Sequence, residues 1–95
     1  MKASQAAVLE LSASYAELGD ADRRVVDELL AEWALSDDEA TRFDALALID
    51  EHEIATALPA LQLLLVRLRE ATDPGAPYEC AKVRRIVARL TKQGR

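Results

Sequence analysis

The side chains in this 95-residue chain able to carry chemistry are few: one histidine, one cysteine and four aromatic residues beside 17 carboxylates and 12 lysines and arginines. His52 stands in the run Asp50-Glu51-His52-Glu53, which offers zinc-type ligands. Zinc, however, needs about four ligands converging on a tetrahedron, and neighbouring residues of a turn point apart. No metal site is therefore expected, and a small metal protein or enzyme around His52 stands last among the functional readings. His52 is expected as an exposed turn residue. Cys80 lies near Lys82 at the start of a helical pattern, a setting that lowers a thiol pKa. A nucleophile also needs a base, and no second histidine exists to supply one, so Cys80 is expected to be buried as a small apolar residue. Neither a catalytic residue nor a cofactor is assigned.

Charge is more informative than chemistry. Residues 1–79 hold all 17 acids against six bases, a balance of −11, while residues 80–95 hold six bases and no acid, +6. Lys82, Arg85, Arg89 and Lys92 recur at three and four residues and form one basic stripe on the last helical segment. Such a stripe can contact an acidic partner or a phosphate backbone. It can equally favour the helix dipole and lean on the acidic body, and that reading weighs more. Nucleic acid is the less favoured partner, because the acidic remainder repels it and no aromatic residue is interleaved for stacking. Between Asp37 and Glu53 seven acids face Arg42 alone. Asp44, Asp50, Glu51 and Glu53 from this run, with Trp33 as an aromatic anchor, form the candidate face for a protein partner.

The elements that position these residues are helical. Ala and Leu supply 33 positions, whereas Val, Ile and Thr together supply 13, and Gly and Pro three each. The apolar spacing predicts five helices in one domain spanning 1–95, over about 3–18, 21–35, 37–50, 56–71 and 77–91. Gly19 ends the first and Asp20 or Asp22 caps the second; Ser36-x-x-Glu39 reads as a capping box for the third. Thr56 suits the cap of the fourth, with Pro59 in its first turn. Leu58, Leu61, Leu64, Leu65 and Leu68 make the central core stripe, and Val83, Ile86, Val87 and Leu90 the apolar face of the last helix. The longest apolar stretch, 57–66, is broken by Pro59 and Gln62 and falls short of the roughly 20 residues a membrane span requires. With no compact apolar leader at the N-terminus, a cytoplasmic protein is expected.

Residues 25–38 align on 60–73 at an offset of 35, matching apolar positions at 26/61, 29/64, 30/65, 31/66 and 33/68. A period of this length with two helices per unit is that of an α-solenoid. The segment from Ala45 through Ile49, the turn Asp50 to Ala55 and the Ala57-Leu58-Pro59-Ala60-Leu61 opening of the next helix resemble a HEAT repeat, with Arg42 at the basic position preceding the small-residue stretch. The turn departs from the family in carrying Glu53-Ile54-Ala55 where a Gly-Asp-Pro type of sequence is common. The matching unit covers about 37–71. This resemblance implies a short stack of antiparallel helical hairpins, non-enzymatic, serving as an adaptor or scaffold for a protein partner. Ala3, Ala6, Ala13 and Ala16 on the first helix suggest self-association through an end helix.

Overall fold

A computed structural model describes residues 14–15 and 17–93. Four α-helices follow one another: α1 (Asp20–Ala34), α2 (Glu39–Glu51), α3 (Leu58–Glu70), entered through a 3-10 turn at Ala55–Ala57, and α4 (Ala76–Gln93). The described residues contain no strand, and the fold is all-α. Five helices were expected and four are found here; the one expected over 3–18 lies outside the described residues, except that Ser14 and Tyr15 are helical and Glu17 and Leu18 form a turn.

The caps differ from the sequence expectation in three places. Gly19, not Asp20 or Asp22, is the N-cap of α1: its extended backbone leaves its carbonyl free to accept from Arg23 N–H at 2.9 Å. The two aspartates instead sit in the first turn, where their charge favours the helix dipole. At α2 the cap is Asp38, whose carboxylate accepts from the Thr41 N–H at 2.9 Å and the Thr41 hydroxyl at 2.7 Å. Ser36 is two residues too early, and its hydroxyl accepts from the Asp38 N–H at 3.1 Å. Thr56 does not cap α3, because the 3-10 turn runs directly into the helix and places Ala57 at the cap; Pro59 does lie in the first turn.

Helix α2 ends in a Schellman motif. Ile54 N–H donates to Ile49 C=O at 3.0 Å and Glu53 N–H to Asp50 C=O at 3.3 Å, while Ile49 and Ile54 are both buried. Glu53 occupies the left-handed position of this motif with φ 52°, where a side chain is strained and glycine is favoured.

Helix α1 packs chiefly on α2, and α3 chiefly on α4; α1 also packs on α3, and α2 more lightly on α4. The described residues thus form two helical hairpins set side by side. The segment 37–71, matched above to one repeat unit, joins α2 to α3, which share little direct contact, so it spans the junction between hairpins. Apolar periodicity shows which face of a helix is covered, but not by which neighbour. Leu30, Leu46, Ile49, Leu61, Val83 and Leu90 are fully buried, and each leucine so placed contributes about 2 kcal/mol. The offset of 35 is only partly kept: Leu30 and Leu65 are both buried, whereas Leu29 is exposed and Leu64 buried.

Glu53→Gly is expected to raise stability by about 1 kcal/mol, since the left-handed backbone is no longer strained, and Glu53→Val to lower it. Urea unfolding of the three proteins checks both signs.

Candidate functional site

The charged side chains divide into those that hold the fold and those left in solvent. Arg42, the lone base of the acidic run, reaches from α2 to Glu79 on α4. Its Nε donates to Glu79 Oε2 at 2.8 Å and its Nη2 to Oε1 at 3.0 Å, a bidentate pair. The remaining nitrogen, Nη1, donates to the carbonyls of Ser36 at 3.0 Å and Asp37 at 3.2 Å. Glu79 is 2% exposed. Its carboxylate raises the Arg42 pKa above the ordinary arginine value, so the guanidinium stays charged. Sequence reasoning missed this pair, although Glu79 falls at i−4 and i−7 on the Val83 and Ile86 face, an acid on an apolar stripe.

The basic stripe and the acidic candidates are partly each other's partners. Arg89 Nη1 donates to Asp50 Oδ1 at 2.7 Å and to its carbonyl at 3.3 Å, and the guanidinium stands 3.7 Å from Glu53. The Lys82 ammonium lies 5.0 Å from the centre of the Phe43 ring, a cation–π contact. Arg85 and Lys92 are exposed. Asp50, Lys82, Arg85, Ile86 and Arg89 line a recess of about 230 Å³ between the end of α2 and α4. Of the other candidates, Asp44 is half-buried, Trp33 is half-buried against the core, and Glu51 Oε2 lies 3.1 Å from His52 Nε2. Tyr78, 69% exposed, precedes Lys82 by one turn and continues the stripe. An aromatic residue thus flanks the stripe at its start, although none lies between the bases, and the 78/82/85/89 spacing was the signal for it.

His52 is not an exposed turn residue. It caps the C-terminus of α2, half-buried, with its ring 4.4 Å from that of Tyr15 and tilted by 32°. Among the described residues no three His, Cys, Asp or Glu side chains are gathered as a metal would require. Cys80 is half-buried and packs against the core. The Tyr15 hydroxyl donates to Asp27 Oδ1 at 2.5 Å, and the Arg23 guanidinium lies 5.7 Å from the ring centre. Burial first, and then the hydrogen bond and charge of Asp27, push the Tyr15 pKa from 10.0 up to about 12.

Comparison with family models, curated proteins and solved structures returns no match to this chain. No helix among the described residues is long and apolar enough to cross a membrane.

Removing either partner of the Arg42–Glu79 pair is expected to destabilise the domain by about 3 kcal/mol, because the other is left as an uncompensated charge. In a double-mutant cycle Arg42→Met with Glu79→Leu should lose far less than the sum of the single changes. Chemical denaturation of the four proteins measures this coupling.

The Tyr15 phenol keeps its proton in the folded state above its ordinary pKa. The stability this provides is whole below pH 10 and is lost as pH rises through about 12. The urea midpoint should fall across that window in the natural chain, and Tyr15→Phe should remove that part of the fall.

Proposed function

We propose that this chain is a non-catalytic protein–protein interaction module, a small HEAT-like adaptor or scaffold built of stacked helical hairpins. The observation that carries this reading is the apolar surface left on neighbouring helices. Val25 (64% exposed) and Leu29 lie one turn apart on α1; Leu63 and Val66 (48% exposed) lie one turn apart on α3, against which α1 packs. Single exposed apolar residues are ordinary, but turn-spaced pairs on adjacent elements of a charged surface are the pattern of a binding face. Paired helices also suit the role physically, since they bury side chains between neighbours and present their outer faces as rigid ridges. A cytoplasmic location is part of this proposal.

The test is affinity capture from the native host at near-physiological salt. The natural chain should retain a partner that the double variant Val25→Asp, Val66→Asp loses, while both unfold at similar temperatures because neither residue is in the core. Equal recovery of every protein by the two chains would overturn the reading.

A further inference from the structure

The recess beside α4 combines unneutralised positive charge with an apolar floor. Of its three bases, Arg89 is already committed to Asp50 and Glu53, and Lys82 rests over Phe43. Arg85 is exposed and makes no hydrogen bond or ion pair with any described residue, and Ile86 supplies the apolar lining. Tyr78 stands one turn before Lys82 on the same flank and is exposed. Tyr and Arg are the residue types that most often anchor protein interfaces.

We infer that this recess holds a short acidic peptide segment carrying one aromatic side chain, as a specific form of the interaction role proposed above, on which it rests. The recess, about 230 Å³ and open to solvent on one side, has room for one aromatic ring laid against Ile86. Flanking carboxylates of the peptide then meet Arg85 and Lys82, and Tyr78 covers the segment at the N-terminal end of the helix. A polynucleotide fits the same surface poorly. Asp50 and Glu53 stand along its path, and the −11 of residues 1–79 opposes a long polyanion, whereas a short peptide needs only the two uncompensated cations.

The experiment uses fluorescein-labelled synthetic peptides in which Glu and Asp flank a central Phe, the same peptide with Ser for Phe, and oligouridylate, each titrated with the full chain. The Phe peptide should bind, with affinity falling as salt is raised. Arg85→Glu and Tyr78→Ala should each weaken it about tenfold. Arg84→Glu, next in sequence but turned about 100° around the helix, should leave binding within twofold, roughly the reach of screened charge alone. Thermal unfolding of all variants checks that the fold is kept. The inference is overturned if Arg84→Glu weakens binding as much as Arg85→Glu, if the Ser peptide binds as well as the Phe peptide, or if oligouridylate binds more tightly than either. Should no peptide bind while a captured partner is still lost with Val25→Asp, Val66→Asp, the recess proposal fails and the interaction module stands.

Discussion

The Arg42–Glu79 pair ties together parts of the chain that apolar packing alone joins only lightly. The contact between α2 and α4 is thin compared with the contacts inside each hairpin, and across it runs a bidentate ion pair whose acidic member is almost wholly buried. The same guanidinium binds two carbonyls of the α1–α2 turn. One side chain therefore fixes a turn, a helix and the neighbouring hairpin in a single geometry. Hydrophobic burial supplies most of the folding free energy, but it is non-directional. The planar fork of arginine supplies direction, and with it the relative setting of the hairpins.

Much of this architecture was legible in the residues. Of the two expected stripes Leu61, Leu64, Leu65, Leu68, Val83, Ile86 and Leu90 are buried and Leu58 and Val87 are half-buried, and the boundaries of the four helices fall within about two residues of the spacing-based ranges. What escaped has a common physical origin. A cap is decided by where the turn ends, so Asp38 replaces Ser36 although both types cap helices well. The pairing of hairpins depends on which faces meet. Arg42 and Glu79, 37 residues apart, belong to no local pattern at all. Tyr78 was in principle visible, since it continues the period of the basic stripe.

The electrostatic asymmetry also changes meaning in three dimensions. Residues 80–95 carry +6 against the −11 of the preceding chain, yet part of that contrast is spent internally, Arg89 on Asp50 and Glu53. Of the four stripe residues, Arg89 leans on the acidic body through Asp50 and Glu53. At physiological ionic strength charges separated by more than about 8 Å hardly interact, so the effect of the remaining charge is a local matter. Along the stripe Arg85 and Lys92 stay exposed, Lys82 is half-buried over Phe43, and Arg89 is paired.

The connection between α3 and α4 has a different character from the one between α2 and α3. Residues 71–75 are all exposed, whereas the α2–α3 passage contains buried Ile54 and Ala57 and the left-handed Glu53. Extra residues in an exposed loop cost little closure entropy, about 0.6 kcal/mol for each doubling of its length. Inserted near Ile54 they would displace the Schellman motif and every side chain packed on it. The two connections therefore differ in tolerance: the loop at 71–75 can lengthen with little effect on the hairpins, while the joint that sets one hairpin beside the other is held to its length by what packs on it.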